Sequence, residues 1–595
     1  MAGLLAVWSG SSSAPDQGRW TRSLRSALRY GGHASEARVG PALLAAWRRD
    51  SGEFPLSGAI ATSGDALVAW VGQCVEETGD ATAAAISQVA APEIDDAAIA
   101  QLNGPFAAIV VRGPSFELRV CTDRYRHYPI YVHRGHEATV VSTDLRCIVP
   151  WLRETEIDTT AVEMLLRCGE LIDRMTLLRG VEMLAPATIF RASEHDAVER
   201  RYWTMRHDGS GGQDAAENAD VVSAALSRSV KRLEAVTAKP GITLSGGLDS
   251  RIILDLFNHP ERVPSFTWGL PGCRDIACAT QFARKIGAPH LVRHWDPAEF
   301  PPLWSRGVDL TSGGCGIEGM FMLPFVPLLA SSSDVIFNGL AGDALLGGNF
   351  LKHSWMREHD MLRLGLSVWR WRVSEQEDLL VDRLVGRRGG DSPARDQWIA
   401  SIASRKGGGP VERLNDWLYE NRVFRNTNCG TMLLRGGVES HAPFFDRDFV
   451  DAMLRVPLQQ KVKHRLYLQV MDRVAPRAAA VAWQRTGLKP ERGYYANLSS
   501  MAFHSLATRV CRRLGATPFK RLKVADPSQW FRGAWRGPTE DLILGRSAAA
   551  RELVDPKVVR QLWDDHQQGK DHTRQLGALI TIEHFARLML DGRAS

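Results

Sequence analysis

One eleven-residue segment, Gly241-Ile-Thr-Leu-Ser-Gly-Gly-Leu-Asp-Ser-Arg251, constrains the fold of this chain more than any other feature. Its apolar beginning predicts a short buried strand, and a helix is predicted to start directly after the Ser-Gly-Gly turn. The two glycines permit a tight turn and a close approach of backbone N–H groups to an anion. The helix N-terminus adds oriented donors and the positive end of its dipole. The segment therefore predicts a binding loop between a strand and a helix.

The side chains of this loop suit it to a pyrophosphate group. Ser245 and Ser250 can donate hydroxyl hydrogen bonds, and Asp249 is a hard oxygen ligand of the kind that Mg²⁺ prefers. The loop lacks the Gly-Lys-Ser/Thr ending of a Walker loop. A bare Ser-Gly-Gly would favour the simpler interpretation of a capped strand–helix turn. All six residues from 245 to 250 at a strand–helix junction favour a nucleotide site.

The sequence around this loop alternates between predicted strands and helices, which is typical of parallel strands joined by crossover helices in a doubly wound sheet. Strands are predicted at 241–244, 265–268, 291–294 and 335–338, and helices at 219–235, 249–257 and 276–286. From about residue 351 the chain is predicted to be mostly helical, with a Trp- and Arg-rich insertion at about 352–412.

The first third of the chain predicts a β-rich α+β or sandwich domain. Strands are predicted at 66–71, 106–111, 116–121, 129–132 and 138–142, and helices at 39–49 and 81–89. The Gly-rich polar stretch 207–214 marks a boundary or flexible linker. We therefore predict a first domain at 1–206, a linker at 207–215 and a second domain at 216–595.

Composition excludes several classes of protein. With 595 residues, 44% of them hydrophobic and 24% charged, the chain is no collagen, coiled coil, disulfide miniprotein or disordered polymer. A net charge of +6 is mild for this length and demands no nucleic-acid partner. Nine scattered cysteines indicate reduced thiols, and neither a signal peptide nor a long apolar segment is evident. We expect a cytoplasmic protein that does not associate with membranes.

The hexapeptide at 245–250 resembles the signature of the N-type ATP pyrophosphatases, which activate a carboxylate as an adenylate and release pyrophosphate. Other segments, in collinear order, resemble the asparagine synthetase and β-lactam synthetase superfamily. In the second domain these segments are 265–272 with Asp275, 337–348 and 438–446. In the first domain they are 102–107, 123–131 and 142–146. The segment 186–203 resembles the stretch that connects the two domains.

This resemblance implies an α/β and α+β architecture. An N-terminal Ntn-hydrolase-like αββα sandwich, a degenerate glutaminase, would precede a doubly wound parallel-sheet ATP-pyrophosphatase domain of the PP-loop type with a helical C-terminal part. The glutaminases of this family carry a nucleophilic Cys after the initiator Met, where this chain has Ala2, and no Cys precedes Cys74. Since such an enzyme needs its nucleophile, we expect no glutaminase activity.

A second departure points to one branch of the superfamily. Leu340 stands where asparagine synthetases carry Glu and β-lactam synthetases carry Tyr. Lasso-peptide macrolactam synthetases share the missing Cys and a Gly-rich Gly-Asp loop, and the segment 485–494 resembles their Arg-Thr-Lys-Gly stretch with extra residues. The chain therefore most resembles a lasso-peptide macrolactam synthetase.

The resemblance also implies roles for particular residues. Asp249 and Asp343 would hold Mg²⁺ against the triphosphate of ATP. Lys489 would stabilise the oxyanion and the departing phosphate, with a solvated surface lysine as the alternative. The residues expected to bind ATP are Leu244, Ser245, Gly246, Gly247, Asp249, Ser250, Trp268 and Gly339.

The implied reaction closes an isopeptide bond between a peptide N-terminal amine and an Asp or Glu side chain, with release of AMP and pyrophosphate. The linear core peptide of a precursor, a leader-binding protein and a leader protease would be the partners. The alternatives are an ammonia-dependent asparagine synthetase-like enzyme, a β-lactam synthetase-like cyclase, and an inactive ATP-binding scaffold. The sequence leaves open the peptide, ring size, acceptor, oligomeric state and peptide contacts of the first domain, and the roles of Glu439, Glu420, Arg422 and the Trp-rich insertion.

Overall fold

The computed structural model describes residues 2–10, 14–48, 58–113, 116–194, 196–348, 352, 354–387, 391–513, 523–545, 548 and 552–590. The N-terminal part is built on two six-stranded antiparallel sheets with strand orders β12-β10-β11-β1-β3-β2 and β14-β13-β9-β8-β5-β4. A two-stranded ribbon, β6–β7, lies beside them. The strands are β1 Gly3–Trp8, β2 His33–Val39, β3 Ala42–Arg48, β4 Ala59–Ser63, β5 Ala66–Gly72, β6 Val75–Glu76, β7 Gly79–Asp80, β8 Phe106–Arg112, β9 Glu117–Thr122, β10 Tyr131–Arg134, β11 Thr139–Ser142, β12 Glu182–Met183, β13 Thr188–Ala192 and β14 Ala197–Arg201.

The two sheets pack face to face and carry helices on their outer faces. Along β1, Leu4 and Ala6 enter the core between the sheets, while Leu5 and Val7 pack on the outer side in the core that includes α1. This alternation follows from the two-residue period of a strand. The predicted αββα sandwich is therefore confirmed. The helices of this part are α1 Gln17–Ala27, α2 Thr82–Val89, α3 Asp96–Ala100 and α4 Thr159–Cys168.

The helix predicted at 39–49 is wrong, because Val39 ends β2 and residues 42–48 form β3, which lies between β1 and β2 in the sheet; residue 49 lies outside the described residues. Its Ala- and Leu-rich composition resembles a helix, but both faces of the strand are buried. Ala42, Leu44 and Ala46 point between the sheets, and Leu43 and Trp47 point towards the outer helices. A strand that is apolar on both faces has no polar alternation by which to recognise it.

The second sheet system is a five-stranded parallel sheet with the order β17-β16-β15-β18-β19. Its strands are β15 Pro240–Thr243, β16 Ser265–Gly269, β17 His290–His294, β18 Val335–Phe337 and β19 Glu439–His441. The strand order reverses between β15 and β18, so the loops that follow these two strands lie side by side at the switch point where open α/β sheets bind ligands. The predicted doubly wound parallel sheet is confirmed.

Helices and the loops between them make up the rest of this part of the described chain. Those within the sheet region are α5 Ala215–Ala235, α6 Asp249–Leu256, α7 Arg274–Ile286, α8 Trp304–Thr311, α9 Val326–Ser332 and α10 Gly342–Gly347. The later ones are α11 Met361–Arg372, α12 Glu375–Leu384, α13 Pro393–Ala403, α14 Pro410–Leu418, a π-helix Tyr419–Thr427, α15 Cys429–Arg435, α16 Arg447–Arg455, α17 Leu458–Lys461, α18 Arg465–Val474, α19 Pro476–Ala479, α20 Tyr494–Arg513, α21 Pro527–Arg532, α22 Arg536–Leu544, α23 Pro556–Gln567 and α24 Thr573–Leu590.

The Trp-rich insertion is core packing. Trp369, Trp398 and Trp417 are fully buried and form a chain of edge-to-face rings with centroid separations of 5.7 and 4.8 Å. Trp371 is the exception, with 46% of its surface exposed. The insertion packs its helices α12 and α13 against α4 of the first domain, where the guanidinium of Arg167 pairs with carboxylates of α12.

The Gly-rich stretch 207–214, predicted to be a boundary or flexible linker, is docked onto α16. The backbone N–H groups of Asp208 and Gly211 donate to the carbonyls of Leu454 and Arg455 at 3.2 and 2.9 Å. All nine cysteines are free thiols. Among the described residues, every helix is too short or too polar to traverse a lipid bilayer.

Candidate nucleotide and metal site

The loop after β15 is closed on itself by short polar contacts. The N–H of Ser245 donates to Ser250 Oγ at 2.9 Å, and the N–H of Gly247 donates to Ser245 Oγ at 3.2 Å. The N–H of Gly246 donates to Asp275 Oδ1 at 3.0 Å, and a Cβ on Gly246 would lie 2.8 Å from the Asp275 carbonyl oxygen. Burial raises the pKa of Asp275 to about 6. The N–H groups of residues 245–247 are thus satisfied within the protein, and the hydroxyls of Ser245 and Ser250 and the N-terminus of α6 are the donors placed to bind an anion.

The loop after β18 approaches Asp249 so closely that it needs its glycines. A Cβ on Gly339 would lie 2.5 Å from the Cβ of Asp249, and one on Gly342 would lie 2.7 Å from Asp249 Oδ1. Ala341, between them, has the left-handed φ of 73°. Close approach, not turn conformation, therefore explains the two glycines, because neither has a positive φ.

Asp249 and Asp343 are brought together by the neighbouring loops, and each has a further partner. The hydroxyl of Tyr467 donates to Asp249 Oδ1, and His464 Nε2 lies 2.5 Å from Asp343 Oδ1. Burial first, and then the charge of Asp343, raise the pKa of Asp249 well above its ordinary value. A divalent cation between the two loops would offset both effects.

The residues present fit magnesium bound together with a nucleotide. Among the described residues no group of three or more His, Cys, Asp or Glu side chains is placed to hold a metal by itself. Mg²⁺ typically takes one or two carboxylates and completes its octahedron with water and substrate phosphates. Two carboxylates beside an anion-binding loop match that requirement.

Comparison with known families agrees with this geometry. The asparagine synthase family model matches residues 221–483, and the glutamine amidotransferase domain model matches residues 86–203. Residues 221–483 form an asparagine synthase domain. Both loops and both carboxylates lie within it.

Curated relatives match part of the chain. Putative glutamine-hydrolysing asparagine synthetases of Mycobacterium tuberculosis and Mycobacterium bovis are 27% identical over 260 residues, which is 42% of this chain and 40% of each relative. The match therefore spans less than half the length of these relatives. Two solved structures, the glutamine phosphoribosylpyrophosphate amidotransferase from B. subtilis complexed with ADP and GMP and an allosteric regulatory enzyme of purine biosynthesis, cover 49% of this chain and 65% and 64% of their own. They align at 12% and 11% identity with TM-scores of 0.24 and 0.25, which are too low to support any argument.

Lys489 lies on a loop just beyond the matched asparagine synthase domain. The base of this loop is joined to the nucleotide loop, because the N–H of Gln484 donates to the Gly246 carbonyl at 3.1 Å. The side chain of Lys489 is 48% exposed and pairs with Glu491 at 3.1 Å. The cation that approaches the carboxylates is instead Arg485, whose Nη1 lies 4.0 Å from Asp343 Oδ2.

The two expected adenine contacts differ in their surroundings. The side chain of Leu244 is buried in the core of the asparagine synthase domain, while its carbonyl accepts from Thr267 Oγ1 at 2.6 Å. Trp268 is half-buried, and one face of its ring stacks on Phe325 with centroids 4.6 Å apart. The other ATP-site residues, Ser245, Gly246, Gly247, Asp249, Ser250 and Gly339, belong to the paired loops described above.

Sequence reasoning missed Tyr467, His464 and Arg485. Tyr467 is 218 residues from Asp249 and His464 is 121 residues from Asp343, so no local pattern connects these pairs. The one local signal is the segment 485–494, in which Arg485 forms part of a resemblance to the Arg-Thr-Lys-Gly stretch. His464 has a φ of 67°, a conformation that non-glycine residues adopt rarely and often at functional sites.

Glu439, Glu420 and Arg422 connect the two domains. Glu439 Oε2 accepts from Arg435 Nε at 3.2 Å and from the Tyr128 hydroxyl at 3.4 Å. Glu420 pairs with Arg201 and Arg405, and Arg422 with Glu170. These three side chains therefore have structural roles at the domain junction.

Proposed function

We propose that this chain is an ATP-dependent, AMP-forming C–N ligase. The observation that carries the proposal is the convergence of the two aspartates, from adjacent strand ends, at the start of α6 and the switch point of a parallel sheet. That arrangement suits a triphosphate whose α-phosphorus is attacked by a carboxylate.

The reaction divides into two balanced steps. A substrate carboxylate oxygen bonds to the α-phosphorus while the bond to the β-phosphate bridging oxygen breaks, so pyrophosphate leaves. An amine then bonds to the acyl carbon, the acyl–oxygen bond to AMP breaks, and the amine gives up one proton.

The chain's own residues bind and orient the reactants for these steps. The hydroxyls of Ser245 and Ser250 and the N-terminus of α6 would hold the departing pyrophosphate. Asp249 and Asp343 would hold Mg²⁺, which neutralises phosphate charge when bound.

Two cations lie on or beside the loop 483–489. Arg485 is placed to neutralise charge beside Asp343. Lys489 would reach the acyl-adenylate on closure of the loop that carries it. The pairing of Lys489 with an exposed glutamate leaves that side chain able to exchange partners, because surface ion pairs are weak.

The finer proposal is macrolactam formation: the amine is the N-terminus of a peptide and the carboxylate is an Asp or Glu side chain of the same peptide. Two features support it. Ala2 offers no glutaminase nucleophile. Leu340 packs against the core of the second domain and puts an apolar side chain in the loop after β18.

A peptide amine has an ordinary pKa of about 7.7–8.0, so it needs little help from a general base. This proposal includes three partners: the linear core peptide of a precursor, a leader-binding protein and a leader protease. It also includes a cytoplasmic location.

The second candidate is an ammonia-dependent asparagine synthetase-like enzyme. It is favoured by the name of the mycobacterial relatives, putative asparagine synthetase, and by the match to the asparagine synthase family. A β-lactam synthetase-like cyclase and an inactive ATP-binding scaffold are further outcomes that the same experiment distinguishes.

The test is pyrophosphate release from Mg–ATP in three parallel reactions: with a leaderless candidate peptide, with aspartate and ammonia, and with ATP alone. Peptide-dependent release, together with a product lighter by one water, supports the cyclase. Release with aspartate and ammonia supports the asparagine synthetase-like enzyme. Asp249→Ala should abolish either signal, whereas Asp220→Asn, at an exposed aspartate paired with Arg473, serves as the matched control. If none of the three reactions releases pyrophosphate although ATP binds, both enzyme hypotheses are contradicted.

A further inference from the structure

A cavity of about 650 Å³ lies at the junction of the first domain, the chain that follows β14, and the helices α13, α14 and the π-helix. This volume lies in the range of small-molecule sites, roughly 300–1,000 Å³. None of its lining residues belongs to the nucleotide and metal site.

The lining is strongly cationic. Seven Arg or Lys side chains and only three Asp or Glu side chains contribute to it. One carboxylate, Glu420, pairs with Arg201 and Arg405, and a third arginine, Arg174, pairs with two glutamates outside the cavity lining.

Four cations of the lining have no carboxylate partner among the described residues: Arg126, Arg206, Lys406 and Arg413. Four of the seven positive charges that line this cavity are therefore not paired with a carboxylate of the described residues.

Arg126 is the most deeply buried of these cations. Its side chain is only 2% exposed, and its φ of 55° is left-handed. Its guanidinium reaches three backbone carbonyls at 3.3–3.4 Å, those of Asp173, Leu184 and Glu420. Burial and the neighbouring Arg425 lower its pKa to about 9. A buried guanidinium that has only long contacts to neutral acceptors carries a desolvation cost that an anion would offset.

Two more arginines that line the cavity are Arg413, which has few polar contacts, and Arg206, which lies close to a glycine. Arg413 leaves Nε buried without a hydrogen-bond partner, and its Nη1 makes one long contact, 3.5 Å, to the Arg405 carbonyl. Arg206 passes directly over the Gly-rich loop, since a Cβ on Gly407 would lie 2.0 Å from Arg206 Nη2. The glycine at 407 therefore leaves the space that this arginine occupies.

We propose that this cavity is a second ligand site, and that it binds a small polyanion carrying two or more phosphate or carboxylate groups. Arg126 and Arg413 are its principal contacts, with Arg206 and Lys406 at its mouth. Arginine suits this role because its planar fork of donors matches the oxygens of both groups.

The test is calorimetric titration of the full chain with two probes, inorganic pyrophosphate and tricarballylate. The nucleotide site is first saturated with Mg²⁺ and α,β-methylene-ATP, so that the loop at 245–250 cannot take up the probe. We expect saturable binding that weakens with added NaCl. The stronger probe identifies the preferred group, because one supplies phosphate and the other three carboxylates.

Arg126→Gln and Arg413→Gln should each weaken binding roughly ten- to hundredfold, the value of one charged hydrogen-bond partner. Arg473→Gln, an exposed arginine paired with Asp220, should leave binding unchanged. Because the Arg413 side chain is only half-buried, its variant keeps the test decisive if Arg126→Gln fails to fold. The proposal is overturned if neither probe binds, or if wild type and Arg413→Gln bind the probes with equal affinity.

Discussion

Gly342→Ala is the most informative single substitution at the nucleotide site. The new methyl carbon would lie 2.7 Å from Asp249 Oδ1 and 2.7 Å from the Phe444 ring carbon Cε2. Ordinary contacts between such atoms are roughly 3.5–4.0 Å, so about 1 Å must be absorbed by movement of Asp249, the loop or the ring. Overpacking of this size lowers the free energy of unfolding by about 1–3 kcal/mol. The higher helix propensity of alanine at position 342 offsets about 1 kcal/mol of this loss.

The free energy of unfolding should therefore fall only slightly, while the affinity of the site for Mg–ATP should fall clearly. Displacing a metal ligand by about 1 Å can cost roughly a hundredfold in function, so we expect Mg–ATP to bind at least about tenfold more weakly. Calorimetry with Mg²⁺ and α,β-methylene-ATP measures this without any acceptor substrate. Gly537→Ala is the matched control, because Gly537 is also helical and a Cβ there meets nothing within 4 Å. Unchanged affinity in Gly342→Ala would refute the inference that this glycine makes room for Asp249.

Three further predictions concern charge. Arg485→Gln should reduce Mg–ATP affinity, whereas Lys489→Gln should lower kcat with little change in affinity; equal loss of affinity in both would contradict the separate roles. Lys461 is buried and its pKa falls to about 7, below its ordinary 10.5. The unfolded state thus binds more protons between these values, so stability should rise with pH in that window by up to about 1.4 kcal/mol per unit, and Lys461→Met should flatten this slope in urea titrations. The two arginine partners of Glu420 lower its pKa to about 2 despite burial. Glu420→Gln should therefore reduce the free energy of unfolding by about 3–5 kcal/mol at pH 7, and this reduction should shrink as pH falls from 4.5 to 2. A reduction that does not depend on pH would contradict the pairing.

The parts of the fold that could be predicted are those with a local signal. The strands and helices around 241–286 combine short apolar runs, turn glycines and helix periodicity, and they form within a few residues of the predicted bounds. The loop at 245–250 lies entirely within one such unit. β3 could not be predicted in the same way, because burial of both its faces removes the alternation that identifies a strand.

The composition of the site beyond the two loops depends on long-range packing. His464 and Tyr467 reach Asp343 and Asp249 because α18 packs against α10 and α6, and nothing near either residue in the sequence marks this contact. The sequence likewise does not predict the ion pair of Glu420 with Arg201, because the two residues lie 219 positions apart and in different domains.

The last helix of the described chain, α24, has a consequence for the order in which the molecule is made. It packs on α4 of the first domain and on α8, and Arg574 donates to the carbonyl of Arg167, 407 residues earlier in the chain, at 2.8 Å. At roughly 5–20 residues per second of synthesis, α4 would leave the ribosome about 20–80 s before the helix that covers it. The first domain is therefore translated early, but the face of α4 that α24 covers stays without this helix throughout that interval.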